Sequence, residues 1–358
     1  MQLYHVLLEQ RAAFLTEPTS GVLLGSLAWA YRDLYGEPAL SELLAAYRAA
    51  DQAGAAPPLI CSAALPTGWL PRPHFTYLTP AERTQLATQQ FKSSGAAALL
   101  RLDQALNHLR GQWWLPQAAL RPVVEQVDAF HLFGALLKQM DAPSVRLVSG
   151  PLPERERWAA GPAQLQSRLR TQSSINRLTG SVHEGLLFDQ EELVYRPGQQ
   201  LDIWVRIAPA FATDAWLERW RAVFRLLAAQ GIGARHSTGA GAVQLVQNLE
   251  PAAADALPAA RQPNGFLSLS AWVPRPADPD ALAYQLDTRH GRLGGLYGAG
   301  DNVWKYPVTE LLPGAVGRLP AGAALRPVYG GLVENVHRTR PEVVNFGYCF
   351  PLGVRLVE

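Results

Sequence analysis

Four glycines fall between positions 231 and 241, in the run Gly-Ile-Gly-Ala-Arg-His-Ser-Thr-Gly-Ala-Gly, directly after an amphipathic helical stretch and before a short strand pattern. Glycine lacks Cβ and takes positive φ freely, so the amides of such a loop can converge on an anion or lie against a polyanion. Arg235, His236, Ser237 and Thr238 add donors of the kind that phosphate oxygens accept. The common nucleotide fingerprints do not fit. A Rossmann G-x-G-x-x-G follows a strand and opens a helix, whereas this loop follows a helix; a P-loop needs Gly-Lys-Ser/Thr, and the loop has no lysine. A plain helix C-cap and turn is the competing reading of the glycines alone.

The chain is 358 residues long, which makes two domains the expectation. No apolar run approaches the ~20 residues that span a bilayer, and the start Met-Gln-Leu-Tyr-His has neither a charged n-region nor an h-region, so a soluble cytoplasmic protein that binds no membrane is expected. The two cysteines, Cys61 and Cys349, make no disulfide framework, and no His/Cys spacing resembles a zinc site. Neither a metal nor a cofactor is expected. A formal charge of +2 confines any nucleic-acid site to a local patch. Nearly all positive charge is arginine, with lysine only at 92, 138 and 305. Arginine suits bidentate phosphate contacts and stacking on bases, although a G+C-rich genome gives the same bias.

Leu3 to Gln10 reads as an opening strand. Thr19 or Ser20 caps a helix carrying Leu23, Leu27, Ala30 and Leu34 that ends at Gly36; a second helix runs from Pro38 and Ser41 through Tyr47, and Leu59 to Ala63 is a short buried strand. Residues 75 to 165 show helical signals at Leu99 to Leu109 and Phe130 to Met140 and read as an insertion. Glu192 to Tyr195, the Arg196-Pro197-Gly198 turn, and Leu201, Ile203, Val205 and Ile207 alternating with Asp202, Trp204 and Arg206 predict a hairpin with one buried face. Asp214 caps a helix with Leu217, Trp220, Phe224 and Leu227 on one stripe; Gly231 ends it, and a strand follows at Val243 to Val246. The order is β-α-β-β-α-β, ferredoxin-like with insertions. After an Ala/Pro-rich linker at 251–263, a second unit opens with a strand at Phe266 to Trp272 and a helix at Asp278-Pro279, and closes with strands near Val343 to Tyr348 and Val354 to Val357. It is short of helix and reads as a degenerate copy of the first.

Several pieces, in order, resemble the fourth subunit of Csm complexes, the type III-A CRISPR effectors, in the Cas-five-like branch of the RAMP superfamily. Pro18-Thr19-Ser20-Gly21-Val22-Leu23-Leu24-Gly25-Ser26-Leu27 with Leu34-Tyr35-Gly36 is similar to the family's first helix. Cys61-Ser62-Ala63-Ala64-Leu65-Pro66 with Leu70-Pro71-Arg72-Pro73 is similar to its "S-S-A-F-P…L-P-K-P" segment. Asn176-Arg177-Leu178-Thr179 with Leu187-Phe188, Lys305-Tyr306-Pro307-Val308 with Gly314, and Asn345-Phe346-Gly347-Tyr348-Cys349-Phe350 resemble three further motifs. Ala240 departs from the bulky residue usual in the family's loop, and 75–165 has no clear counterpart.

The resemblance implies an α+β protein of two ferredoxin-like (RRM-like) RAMP domains: 1–250, with the insertion and the Gly-rich loop 231–241, and a degenerate 264–358. It implies a non-catalytic subunit that holds the repeat-derived 5′ tag of a crRNA and joins the large Cas-ten-type subunit to the backbone filament subunit. The implied RNA contacts are Gly231, Gly233, Arg235, His236, Ser237, Thr238, Gly239 and Gly241 in the loop, Thr19 and Ser20 at a helix N-terminus, Arg72, and Arg168, Arg170, Asn176, Arg177 and Thr179 on a protruding thumb hairpin around Gln166 to Phe188. Plainer roles compete: Thr19 and Ser20 as caps, Arg168 and Arg170 as a solvated face, Trp113-Trp114 as insertion core and not a base platform, Lys305 as the partner of Glu310. The rival function is a metal-independent RNA-processing endoribonuclease of the same superfamily, with His236, His183 or His74 as general base.

Overall fold

The computed structural model describes residues 1–75, 77–92, 95–139, 165–175, 182–299 and 302–357. Strand β1 (Gln2–Gln10) buries Tyr4, Val6 and Leu8 on alternate positions, and this face receives two helices. The first, α1 (Ser20–Tyr35), buries Leu23, Leu24, Leu27, Ala30 and Tyr31 and stops at Gly36, whose φ of 88° lies in the left-handed region. Helix α2 (Glu37–Gln52) follows at once and leads to β2 (Leu59–Cys61) and β3 (Leu65–Pro66). The short β4 (Trp69–Pro71) pairs with β5 (Trp114–Pro116) across an intervening helical segment.

That segment is helical, as its patchy periodicity suggests. It holds α3 (Pro80–Phe91) and α4 (Ala96–Arg110); the one-turn α5 (Gln117–Leu120) and α6 (Ala129–Gln139) follow β5, and α3, α4 and α6 bury Leu86, Leu102, Leu106, Leu109, Leu132, Phe133 and Leu136 in one cluster. Helix α3 escapes a periodicity reading but carries a capping box: the Thr79 hydroxyl accepts from the Glu82 amide, and the Glu82 carboxylate accepts from the Thr79 amide.

Two long strands, β6 (Leu165–Ile175) and β7 (Val182–Tyr195), form a two-stranded ribbon among the described residues, in the register Leu165 with Tyr195 and Thr171 with Asp189. This corrects the expected hairpin, in which Glu192–Tyr195 would pair across the Arg196-Pro197-Gly198 turn. Strand β8 (Gln200–Ile207) lies instead between β1 and β2, and β7 touches the body through a bridge of Leu193 to Phe14. Helix α7 (Asp214–Gln230) has Thr213 at its N-cap position and buries Trp220, Val223, Phe224 and Leu227; β9 (Val243–Pro251) follows the Gly-rich loop. The strand order β2-β8-β1-β9, all antiparallel, is the one that a β-α-β-β-α-β path produces.

Strand β8 is covered on both faces, contrary to its alternating pattern. Asp202 is buried and accepts from the Thr67 hydroxyl (3.0 Å), the Gly68 amide (3.2 Å) and His5 (2.9 Å). Trp204 stacks on His5, and Arg206 lies over Phe350 while donating to the carbonyls of Pro327 and Pro351. These partners are far away in sequence, so the alternation could not reveal them.

The carboxy-terminal part contains β10 (Gly265–Ser268), β11 (Ala281–Ala283), β12 (Leu286–Arg289), β13 (Val308–Leu311), β14 (Val316–Arg318), β15 (Tyr329–Val333), β16 (Asn345–Cys349) and β17 (Pro351–Val354). A four-stranded sheet runs β11-β14-β10-β17, with β12-β13 and β15-β16 as separate ribbons. The helix expected at Asp278 does not form. The Asp278 carboxylate accepts from the Arg275 and Gly330 amides and pairs with Arg326, which ties a turn, and the chain continues as β11. The closing strand also sits earlier than expected, at Pro351–Val354. Helices of the first half serve here: α1 packs on β16 and α2 on β15, with Tyr47 against Phe346 and Tyr348, and Asp51 accepting from the Tyr348 hydroxyl (3.0 Å), the Leu332 amide (2.8 Å) and Arg275.

Candidate nucleic-acid interface

Two glycines close the Gly-rich loop. Gly231 ends α7 at φ 86°, and Gly241 (φ 66°) lies so close to the Ile232 carbonyl that a Cβ there would sit 2.0 Å from its oxygen. The Ile232 amide donates to the Gly241 carbonyl and the Gly241 amide to Ala13, pinning both ends. Gly233 (φ 87°) rests on Thr16, whereas Gly239 (φ 88°) has open space beside its Cα. Between them Arg235 adopts the left-handed φ of 56°, and its carbonyl accepts from the Thr238 amide and hydroxyl, building a single 3₁₀ turn over His236–Thr238. The amides of Gly233, Ala234, His236 and Ser237 have no acceptor among the described residues, and the loop from 234 to 239 is exposed. Free amides on a tight, positive-φ turn form a concave donor surface for an anion.

The Arg235 side chain turns toward the β6-β7 ribbon. It donates to Gln172 Oε1 and Gln190 Oε1 (3.2 Å each), and its guanidinium lies 5.4 Å from the centre of the Phe188 ring. Loop and ribbon therefore form one continuous surface, on which Leu169, Leu187 and Phe188 are exposed apolar groups. Farther along the ribbon, Arg168 and Arg170 bond Glu192 at 2.8 and 3.3 Å. Burial works against ionisation of Glu192, but these hydrogen bonds outweigh it and hold the carboxyl below its usual range. Asn176, Arg177 and Thr179 lie outside the described residues, as does the side chain of His183.

Other sequence-derived positions are buried. The Thr19 hydroxyl accepts from Arg289 (3.3 Å), which also binds Glu17 and Asp287; the Ser20 hydroxyl donates to the Ala271 carbonyl (3.1 Å). Both hydroxyls thus tie the start of α1 to the carboxy-terminal half. Arg72 is buried and donates to the carbonyls of Gln112, Pro73 and Arg110, and desolvation, with the nearby Arg110, lowers its pKa. Lys305 donates to the Val344 carbonyl (2.8 Å), and burial brings its pKa down to about 8. Burial, and then Arg72, brings His74 down to about 4 and keeps its ring neutral near pH 7. Among the described residues no group of three His, Cys, Asp or Glu is arranged to hold a metal, and no helix is long and apolar enough to cross a membrane.

Sequence reasoning placed the loop and the ribbon but missed what joins them. Gln172, Phe188 and Gln190 stand at alternating ribbon positions, and only the pairing register brings them under Arg235. It also missed the corner where Glu17, Arg72, His74 and Trp113 meet, since segments far apart in sequence build it.

No protein-family model and no curated protein matches the chain. Solved structures do. A Csm1-Csm4 cassette in complex with pppApA aligns over 99% of this chain and 99% of that chain, with a TM-score of 0.53 at 15% identity. The same cassette in complex with cA4 gives the same coverage, score and identity. A Csm3-Csm4 subcomplex of the type III-A CRISPR-Cas interference complex aligns over 99% of both chains, with a TM-score of 0.51 at 12% identity. The subunit common to these assemblies is Csm4, and its mixed helix and antiparallel-sheet fold is the fold of this chain.

Proposed function

We propose that this chain is a non-catalytic RNA-binding subunit of a type III CRISPR effector complex, holding the repeat-derived 5′ tag of a crRNA. One observation carries the reading: the end-to-end fold match is to a subunit solved with Csm1 in some structures and with Csm3 in another. A chain built this way has two docking faces, one for a large Cas-ten-type subunit and one for the backbone filament subunit. Its two halves, 1–250 and 264–358, are read as a complete and a degenerate ferredoxin-like RAMP domain, the second relying on α1 and α2 for cover.

The chemistry suits a single strand. The open amides of Gly233, Ala234, His236 and Ser237 meet phosphate oxygens, Arg235 supplies charge, and Phe188 beside it offers a face for a base. No transfer or hydrolysis is assigned to this surface, and the exposed loop stretch 234–239 carries only Arg235 and a lone imidazole, His236, as titratable groups. The test is co-expression of the operon with a tag on this chain, followed by sequencing of co-purified RNA. Recovery of both neighbouring subunits with RNAs sharing one repeat-derived 5′ end is the expected result. A chain that purifies alone and free of RNA would overturn the reading.

A further inference from the structure

A cavity of about 220 Å³ lies where the start of α1, the β2–β3 connection, the segment after β4 and the turn before β5 meet the Leu312–Pro313 turn. Among its lining residues are Glu17, Arg72, His74, Gln112, Trp113 and Leu312. Trp113 at its edge is 64% exposed, a large cost for an indole unless something covers it. Arg72 brings a positive charge that no carboxylate pairs among the described residues, while Glu17 is engaged by Arg289. Each guanidinium nitrogen of Arg72 already donates to a main-chain carbonyl, which leaves two of its five N–H groups. It offers its field and flat face, with fewer open donors for a phosphate than a free arginine has.

His74 points the same way. Its Nε2 lies 3.0 Å from the Pro313 carbonyl, an acceptor only, so Nε2 carries the proton and Nδ1 is an acceptor. That Nδ1 is buried and without a partner among the described residues. A phosphate, which has only acceptors at neutral pH, cannot satisfy it; the N–H edge of a nucleobase can. Glu17 and Pro18 line the cavity, and the adjoining Thr16 packs on Gly233, so one wall of the cavity connects directly to the Gly-rich loop.

We propose that this cavity receives one nucleobase turned out of a bound RNA strand and stacked on Trp113. The proposal rests on the RNA-binding reading above and adds a specific subsite to it. Stacking on Trp113 tolerates any base, and the polar wall of Arg72, Gln112 and His74 meets its edge.

The experiment is an abasic scan of a repeat-derived RNA, one position at a time, with binding to the full-length chain read by fluorescence anisotropy. In the wild type one position should weaken binding about tenfold more than its neighbours. In Trp113→Ala the intact strand should bind about tenfold more weakly, and that position should lose its distinction. Trp304→Ala, an indole 58% exposed outside the cavity, should scan like the wild type. If strands bind but Trp113→Ala leaves the scan unchanged, the subsite is wrong and the RNA-binding reading survives. If no strand binds, that reading falls, and calorimetry with AMP and CMP decides the cavity: heat lost in Trp113→Ala makes free nucleotides its ligand, and no heat in the wild type overturns the proposal.

Discussion

The Gly-rich loop and the Arg72 corner both carry arginine, and both belong to segments that resemble one RNA-binding family, yet their physical states are opposite. In the loop Arg235 is exposed, its backbone is held at positive φ, and neighbouring amides are open. At the corner Arg72 is buried with its guanidinium closed over three main-chain carbonyls. An arginine that holds the fold together and one that is available to a ligand cannot be told apart by residue type. What separates them is whether the guanidinium is buried against main-chain carbonyls or lies exposed beside open amides.

Substitutions sharpen this contrast. The largest effect belongs to Arg72→Ala, which removes three buried or partly buried hydrogen bonds to main-chain carbonyls and takes a buried side chain from the cavity wall; we expect a loss of about 3 kcal/mol of stability by urea unfolding. A variant as stable as the wild type would mean that Arg72 is not structural. Next comes Gly241→Ala, where the new Cβ meets the Ile232 carbonyl at 2.0 Å, against Gly239→Ala, which meets nothing within 4 Å. Gly241→Ala should lower stability by about 2 kcal/mol or more, and Gly239→Ala by about 1 kcal/mol from backbone strain alone. Equal melting temperatures for the two would remove the distinction between the closed ends of the loop and its open tip.

The pH dependence follows from His74, whose folded pKa of about 4 lies below its unfolded value. Between about pH 6.5 and 4 the unfolded chain binds the additional proton, so stability is complete above that window and falls as pH drops through it. His74→Gln should flatten this part of the unfolding profile; an unchanged slope would show that the imidazole is not held neutral. Arg235→Ala has the smallest effect on stability, because its contacts are exposed. Its signature is in binding: RNA affinity should fall and the salt slope flatten by about 0.7. Arg48→Ala on α2, which releases Glu334, should leave both unchanged, and equal responses would point to diffuse electrostatics.

Much of the amino-terminal fold could be read from the sequence because its signals are local. The alternation in β1, the stripe of α7, and Gly36 and Gly231 as helix ends fall where the structure has them. The errors arise where a local signal is outweighed by distant partners. Asp278-Pro279 looks like a helix start, but its carboxylate is taken by Arg275, Gly330 and Arg326. Asp202 and Trp204 look solvent-facing until Thr67, Gly68 and His5 cover them. The site divides in the same way: the loop announces itself through glycine, whereas the pairing of Arg168 and Arg170 with Glu192 depends on a strand register that composition does not encode.

The central claim is that the loop and the ribbon beside it hold RNA. Ultraviolet crosslinking of the co-purified complex, with mass spectrometry of RNA-bound peptides from this chain, tests it most directly. Crosslinks should concentrate at residues 233–239 and around Phe188, on RNA ends derived from the repeat. Crosslinks confined to other surfaces, with these peptides recovered unmodified, would contradict the account.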